Sequence, residues 1–328
     1  DNTSYWASSP MYGRGNPKFT TDGDAHDWWI WHSAYPFEHL QDNVPRFMSE
    51  FGFQSFPSYE AIKYATQKDS IDISSKAFST HQKHPRGFEL IREYMERDYP
   101  VPTNDEDYVY VSQVLQAYGM VMGFEAQRRA MPYNMGTLYW QLNDLWPVAS
   151  WSGIDYFGNW KALQYKNVKA FANILISSRL QDGNINTFIV NDNLENLEGN
   201  LVLKLIDFNG KEVWSDTKKV TVKANTSEQF YTLNIEKFDK TYVVLVAEFQ
   251  ETSSLFYLEK PKNLQLQKAP ITKTITKSKE GFTIELSSST LQKDVFLFSN
   301  HKGFFTDNFF DLLPNEKRVI EFKTEASS

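Results

Sequence analysis

Residues 45–56 read PRFMSEFGFQSF, and this stretch sets the expectation for the N-terminal part of the chain. It is a β-prone apolar run that carries one carboxylate, Glu50, and then turns at Gly52. A carboxylate placed where a strand gives way to a loop lies at the mouth of a cavity, where burial and neighbours tune it for covalent catalysis. Glu50 is therefore the candidate nucleophile. The alternative is a structural glutamate paired with Arg46, which requires a regular strand.

Helical patterns alternate with strands up to about residue 173. The sequence predicts one further strand and four helices: a strand over 136–141 and helices over 57–67, 86–98, 104–130 and 160–172. The longest of these helices opens with acidic residues and ends with Arg128 and Arg129, an arrangement that suits the helix dipole. Repeated strand–helix units indicate a parallel sheet, either a barrel or a doubly wound sheet.

After Asn173 the pattern changes to short alternating strands separated by turn signals. Asn209-Gly210 lies between two such runs and is the strongest hairpin signal in the chain. These strands predict an antiparallel sandwich, and a break near residue 262 is followed by a smaller β domain whose strands include 295–299. The sequence therefore predicts three domains: 1–173, 174–262 and 263–328.

Composition restricts the class of partner. The formal net charge is −7 and the pI is near 5.5, which argues against nucleic acid because phosphates would not be neutralised. The 9 Trp, 17 Tyr and 25 Phe offer flat apolar faces that suit sugar rings as well as ordinary cores. No stretch approaches the roughly 20 apolar residues of a membrane span.

The absence of cysteine excludes disulfides and thiolate zinc sites. It leaves the cellular compartment undetermined, although a periplasmic or secreted location is favoured. The first residues, DNTS, do not resemble a signal peptide, and we expect the chain to be part of a longer protein.

Several motifs carry a specific resemblance to a known family. They are YWASSP at 5–10, GDAHDW at 23–28, WH at 31–32, the 45–55 run, and LYWQLNDLWPVASWSGIDYFGNWK at 138–161. Together they resemble the second half of the catalytic domain of a family 2 β-mannosidase, a glycoside hydrolase. The resemblance implies an α/β plus all-β protein: the second half of a (β/α)8 TIM barrel followed by immunoglobulin-like β-sandwich domains. A complete barrel needs about 250 residues, so 173 suffice only for part of one.

The resemblance also implies the chemistry. Members of the family are retaining exo-acting enzymes that remove terminal β-mannose, and Glu50 matches their nucleophile. The second carboxylate, the acid/base, lies upstream of anything that matches this chain; the one Asn-Glu dipeptide here, Asn315-Glu316, reads as a turn. The expected partners are β-mannosides, manno-oligosaccharides or glycans, and the isolated chain is expected to be inactive. The truncated barrel exposes strand edges that favour self-association.

Three further residues are candidates for substrate binding by resemblance. Trp140 ends the last barrel strand and is expected to form the floor under the mannose ring. His32 closes the strand-like run Trp28–Trp31 and resembles the position that hydrogen-bonds the nucleophile or the sugar. Trp146 is expected at the pocket rim. Core packing is the alternative for each tryptophan, and a structural histidine for His32.

The remaining polar motifs favour structural roles. Asp144 is expected to stabilise its loop, since Asx residues cap turns. Asp24, His26 and Asp27 do not have the spacing of a metal site, and catalysis by two carboxylates requires no cofactor.

Other functions remain open at this point. An exo-β-glucosaminidase or an endo-β-mannosidase of the same family shares many of these loop motifs. A glycan-binding chain without turnover is a third possibility. A nucleotide-dependent enzyme is disfavoured because no Gly-rich phosphate loop is present.

Overall fold

The computed structural model describes residues 2–326. The chain forms two compact units. The first comprises the residues up to Ser177 together with Phe188–Leu197 and Val222–Phe230, and the second comprises Ser178–Thr187, Glu198–Thr221 and the residues from Tyr231 onward. Among the described residues no helix is both long enough and apolar enough to cross a bilayer.

The N-terminal part of the chain is rich in helices and has two short strands. The strands are β1 (Ala25–Asp27) and β2 (Met48–Phe51). The helices are α1 (Trp29–His32), α2 (His39–Asp42), α3 (Tyr59–Thr66), α4 (Lys76–Ser79), α5 (Gly87–Asp98), α6 (Asp105–Arg129) and α7 (Ala162–Ala170). The four predicted helices correspond to α3, α5, α6 and α7, with small shifts at their ends.

Helix α6 is built as its sequence predicts. The Asn104 side chain accepts a hydrogen bond from the backbone N of Asp107 at 2.8 Å, which caps the first turn. Acidic side chains occupy that turn and Arg128 and Arg129 the last one. The helix contacts α2, α5 and α7, and Phe124 packs edge-on against Phe51 of β2 with ring centroids 5.2 Å apart. Helix α6 therefore supports the strand that carries Glu50.

Three backbone segments run parallel in this unit. Strand β1 pairs with β2, and residues 135–140 follow the other side of β2. The backbone N of Leu138 donates to Met48 O at 2.7 Å, and the N of Trp140 donates to Phe51 O at 2.9 Å. The expected strand 136–141 is thus present as an extended partner of β2, but only Thr137 forms a regular bridge.

The expectation that Trp28–Trp31 is strand-like was wrong. The strand ends at Asp27, and Trp29–His32 forms the single helical turn α1. The cause is local: Asp27 Oδ1 accepts a hydrogen bond from the backbone N of Trp29 at 3.0 Å, so the carboxylate supports a helical turn instead of continued pairing.

From Ile174 onward all regular elements except one short 3-10 helix at Pro261–Asn263 are strands. They are β3 (Ile174–Gln181), β4 (Asn184–Asn191), β5 (Leu197–Asp207), β6 (Glu212–Val222), β7 (Thr226–Asn234), β8 (Val243–Phe249), β9 (Thr252–Tyr257), β10 (Thr272–Ser278), β11 (Gly281–Ser287), β12 (Gln292–Val295), β13 (Phe304–Phe305), β14 (Phe310–Leu312) and β15 (Lys317–Lys323). The sheet orders are β3-β4-β7, β6-β5-β8-β9, β10-β11-β15-β13 and β12-β14.

The hairpin at Asn209-Gly210 is confirmed, since β5 and β6 are neighbours and Gly210 has a φ of 88°. The strand expected over 295–299 was wrong, because β12 ends at Val295. Beyond it the Asn308 side chain takes the place of a strand partner: its Oδ1 accepts from Leu297 N at 2.7 Å and its Nδ2 donates to Leu297 O at 2.9 Å.

Candidate active site

Glu50 lies one residue from the end of β2, opposite a histidine of β1. The parallel register pairs Ala25 with Met48 and then, after an irregularity, His26 with Glu50 and Asp27 with Phe51. The Glu50 side chain is 26 % exposed. The carboxylate is thus reachable from solvent and lies at the carboxyl end of a parallel strand, where barrel enzymes carry their catalytic groups.

Two ring nitrogens converge on one oxygen of Glu50. The indole Nε1 of Trp28 donates to Oε2 at 3.3 Å, and Nδ1 of His26 lies 3.3 Å from the same oxygen. A hydrogen bond to one oxygen orients a carboxylate, and a second polar contact to the same oxygen adds to that effect. The Trp28 hydrogen bond and the His26 contact to Oε2 therefore favour one orientation of the group and leave Oε1 for other partners.

Asp24 lies on the far side of the His26 ring. Its Oδ2 accepts hydrogen bonds from Ser9 and Ser49, both at 2.5 Å, and lies 3.8 Å from Nε2 of His26. Burial alone would raise the pKa of Asp24, but the hydrogen bonds from Ser49 and Ser9 outweigh it, so the pKa lies below its usual range. Asp24 is consequently an ionised group at neutral pH.

Trp140 closes another side of the site through its backbone. A β-carbon placed on Gly52 would lie 2.3 Å from the Trp140 carbonyl oxygen and 2.9 Å from Cδ1 of Trp151. Only glycine permits this approach. The Trp140 side chain is 43 % exposed, and its peptide bond to Gln141 is cis. Trp140 thus has a tight backbone contact with the segment that carries Glu50, and its indole is exposed.

The surroundings of Glu50 are aromatic. Trp28 packs against Trp151 with ring centroids 5.9 Å apart and against His32 at 5.5 Å. His32 in turn lies 5.4 Å from the ring of His84. Burial lowers the pKa of His32, and the nearby His84 and Arg14 lower it further. His32 therefore belongs to the second layer, behind Trp28, and the contacts to Glu50 come from His26 and Trp28.

Trp146 lies in the loop that follows Trp140. Its ring packs against His81, with centroids 5.5 Å apart, and His81 Nδ1 is 2.6 Å from the carbonyl oxygen of Pro147. The indole is 38 % exposed. The structure thus places Trp146 of the 142–151 loop against His81, while His26 and Trp28 form the contacts with Glu50.

Asp144 anchors that loop. Its carboxylate accepts hydrogen bonds from Lys83 Nζ at 2.7 Å, Ser150 Oγ at 2.6 Å and Ser152 Oγ at 2.5 Å. Such a fully bonded, buried carboxylate has a structural role, as its sequence context suggests. The neighbouring Lys161 is buried with its Nζ 3.3 Å from Ser150 O. Burial lowers its pKa to about 8, against the opposing effect of Asp144 and Asp155.

The two aspartates that flank His26 in the sequence, Asp24 and Asp27, contact different parts of the structure. Asp27 is fully buried, and its Oδ2 lies 3.2 Å from Nε2 of His39, whereas Asp24 points to Ser9 and Ser49. Among residues 2–326 no three His, Cys, Asp or Glu side chains are grouped to hold a metal ion.

Sequence reasoning missed the residues that contact Glu50. His26 and Trp28 lie in the GDAHDW motif, whose alternation puts His26 and Trp28 two residues apart. That spacing was the available signal. What could not be read from it was the register between β1 and β2, which sets His26 opposite Glu50.

Comparisons with known proteins agree with this architecture. Residues 183–263 match a family described as a Mannosidase Ig/CBM-like domain, and residues 266–328 match an Ig-fold domain family. The chain is 25 % identical to β-mannosidase A of Emericella nidulans over 342 residues, covering 90 % of this chain and 36 % of the relative. It is 27 % identical to β-mannosidase of Capra hircus over 344 residues, covering 94 % and 38 % respectively.

Solved structures of two glycosidases resemble this chain in fold. The β-D-mannosidase of Dictyoglomus thermophilum is 28 % identical, with a TM-score of 0.87 that covers 96 % of this chain and 40 % of that one. An exo-chitosanase of Amycolatopsis orientalis, 17 % identical, has the same fold with a TM-score of 0.68, covering 90 % and 42 %. The chain thus spans less than half the length of the relatives it matches.

Proposed function

The chain corresponds to the C-terminal portion of the β-mannosidases of glycoside hydrolase family 2, and on that premise we propose that Glu50 is the nucleophile of a retaining exo-β-mannosidase. The observation that carries this proposal is the environment of Glu50. Its side chain is 26 % exposed near the carboxyl end of a parallel strand, its Oε2 is contacted by Trp28 and His26, and aromatic rings border the site. The activity is proposed for the full-length protein that carries this chain.

The architecture proposed for residues 1–173 is the second half of a (β/α)8 barrel. In support, β1, β2 and residues 135–140 run parallel and side by side, with helices between them along the chain. Residues 174–262 and 263–328 are proposed as two immunoglobulin-like sandwich domains. The two family matches, which begin at residues 183 and 266, support that division.

The proposed reaction has two steps. In the first, an oxygen of Glu50 bonds to the anomeric carbon, the glycosidic C–O bond breaks, and a general acid protonates the departing oxygen. In the second, the same acid, now a base, takes a proton from water while the water oxygen bonds to the anomeric carbon. The bond between the anomeric carbon and Glu50 breaks as the bond to water forms, and the Glu50 carboxylate is regenerated. The two inversions leave the product with the β-configuration of the substrate.

The general acid is proposed to come from a part of the protein outside this chain. Asp24 is the carboxylate nearest to the Glu50–His26 pair in the described contacts, but its lowered pKa makes it a poor proton donor at neutral pH. Asp27 is engaged with Trp29 N and His39 in the interior. A retaining enzyme needs its acid roughly 5 to 5.5 Å from the nucleophile, so another barrel strand must supply it.

The proposed sugar site combines exposed aromatic faces with polar neighbours. Trp140, whose indole is exposed and whose backbone contacts Gly52, is proposed as the floor on which the mannose ring packs. Trp146 is proposed at the rim, because it is exposed on the following loop. His32 keeps its proposed role in substrate binding, which it would perform from behind Trp28.

The experiment that tests the proposal follows the product by proton NMR. The full-length protein is supplied with an aryl β-mannoside and, separately, with the glucosaminide and glucoside analogues. We expect rapid release of β-mannose that later mutarotates, and much slower turnover of the other two. Initial release of α-mannose would overturn the retaining mechanism, and preferential turnover of the glucosaminide would assign the protein to exo-β-glucosaminidases. The isolated chain should hydrolyse little, and its self-association remains a prediction.

A further inference from the structure

We propose that His26 is the positioning residue for Glu50, holding its Oε2 so that Oε1 is the oxygen that attacks the sugar. This inference rests on the proposed role of Glu50 as nucleophile. It assigns a function to a histidine whose ring lies against the Glu50 carboxylate.

The first support is the geometry at Glu50. His26 Nδ1 and Trp28 Nε1 both lie 3.3 Å from Oε2. A single contact would leave the carboxylate free to rotate about it. The Trp28 hydrogen bond and the His26 contact together restrict that rotation, because turning the group would lose one of them. The carboxylate is therefore oriented before substrate arrives, with Oε1 as its unoccupied edge.

The second support is the arrangement behind the His26 ring. Nε2 of His26 lies 3.5 Å from Ser9 Oγ and 3.8 Å from Asp24 Oδ2. Ser9 and Ser49 each donate to that Asp24 oxygen at 2.5 Å, so the acid cannot turn away. A fixed anion beside one nitrogen of an imidazole fixes the orientation of the ring. The ring is thus held with Nε2 towards Asp24 and Nδ1 facing Glu50.

The third support is the backbone. His26 and Glu50 are directly paired in the parallel register, so their separation is set by the sheet and not by a flexible loop. Ser49, which binds Asp24, precedes Glu50 in the same strand. Strand β2 therefore carries both the nucleophile and a group that fixes the partner of His26. Misplacement of a reacting group by about 1 Å can cost about 10²-fold in rate.

The test compares three substitutions of His26 in the full-length protein. The His26 side chain is 21 % exposed, so each substitution should be tolerated by the fold, and thermal unfolding checks this. In His26→Asn the amide nitrogen takes the place of Nδ1 and still reaches Glu50. In His26→Gln the amide reaches the place of Nε2 instead. His26→Ala removes both contacts.

We expect His26→Ala and His26→Gln to lower kcat about 10²-fold while KM changes only a few-fold, since the substrate contacts are intact. His26→Asn should recover kcat to within about tenfold of the original protein. The same order should appear in the rate at which a 2-fluoro-mannosyl fluoride labels the enzyme. If His26→Ala does not fold, the difference in kcat between His26→Asn and His26→Gln still tests the positioning role.

Equal kcat in the Asn and Gln variants, or a kcat close to the original in all three, overturns the positioning role. Labelling of Glu50 in the unaltered protein separates this outcome from failure of the proposed function. If Glu50 is labelled and His26 has no effect, only the role of His26 is lost. If Glu50 is not labelled, the proposed function itself is lost.

Discussion

The backbone of Gly52 lies against the carbonyl oxygen of Trp140, so closely that a β-carbon on Gly52 would stand 2.3 Å from that oxygen. The segment that carries Glu50 and the segment that carries the exposed indole are therefore in direct backbone contact. A side chain at position 52 must push the two segments apart, because a carbonyl oxygen cannot rotate away as a flexible side chain would.

Gly52→Ala should therefore damage both stability and activity. We expect a loss of about 1–3 kcal/mol in the free energy of unfolding, as for other overpacked sites, and a fall in kcat/KM of about 10²-fold from misplacement of Glu50 and Trp140. Denaturant unfolding and aryl β-mannoside kinetics measure the two effects. Gly13→Ala is the matched control, because a β-carbon there meets nothing within 4 Å. A harmless Gly52→Ala would contradict the close packing.

Trp140→Ala should weaken catalysis through loss of the sugar platform. We expect kcat/KM to fall about 10- to 100-fold, corresponding to about 1.5–3 kcal/mol for a large apolar side chain removed from its partner. The matched control is Leu145→Ala on the following loop, whose side chain is 84 % exposed. If the two substitutions have the same small effect, Trp140 is not the platform.

The charge of Asp24 should make stability depend on pH in acid. Its pKa in the folded protein lies below the usual 3.8 because the hydrogen bonds from Ser49 and Ser9 outweigh burial, which acts in the opposite direction. The stabilisation is therefore complete above pH 3.8 and is lost as the pH falls towards the folded pKa, since the unfolded state takes up its proton first.

Asp24→Asn removes that dependence. We expect the difference in free energy of unfolding between the original protein and Asp24→Asn to be independent of pH around pH 5. The difference should shrink as the pH falls below 3.8. Urea unfolding over this range provides the measurement. Asp22→Asn is a suitable comparison because Asp22 lies two residues from Asp24 and is partly exposed. A difference that grows in acid would show that the hydrogen bonds do not favour the charged form.

Buried Lys161 should make the free energy of unfolding depend on pH in the alkaline range. Burial lowers its pKa from 10.5 to about 8, so between these values the unfolded state binds the proton and the folded state does not. Stability conferred by this residue should rise with pH across that range, by up to about 3 kcal/mol at about 1.36 kcal/mol per pKa unit. Lys161→Met should abolish the rise, and Lys76→Met, at an exposed position, should preserve it. Equal pH profiles of stability in both variants would contradict the lowered pKa of Lys161.

Elements defined by local signals could be predicted from the sequence. Helix α6 carries its own cap at Asn104 and its own charge pattern, and the Asn209-Gly210 turn needs a positive φ that glycine supplies. The position of Glu50 near the end of a strand was predicted for the same reason, since an acid at the end of an apolar run is a local feature; its role as nucleophile stays a prediction. The run Trp28–Trp31 misled, because one hydrogen bond from Trp29 N to Asp27 decides for a helical turn.

Contacts that depend on strand register could not be predicted. His26 reaches Glu50 only because an irregularity after Ala25 shifts the pairing, and such a shift leaves no mark in the spacing of either segment. The Gly52–Trp140 contact joins segments 88 positions apart in the chain, which no periodicity connects. The sequence thus suggested Glu50 as the candidate nucleophile, whereas the residues that contact Glu50 became visible only in the fold.

The central claim is that Glu50 forms the glycosyl-enzyme bond, and trapping tests it most directly. The full-length protein is treated with a 2-fluoro-mannosyl fluoride, digested with trypsin, and analysed by mass spectrometry. Cleavage after Arg46 and Lys63 releases one peptide, residues 47–63, that contains both Glu50 and Glu60. Fragmentation must therefore assign the label, and Glu50→Gln serves as the control. We predict one fluoromannosyl group on Glu50 and none in Glu50→Gln; a label on any other carboxylate would contradict the assignment.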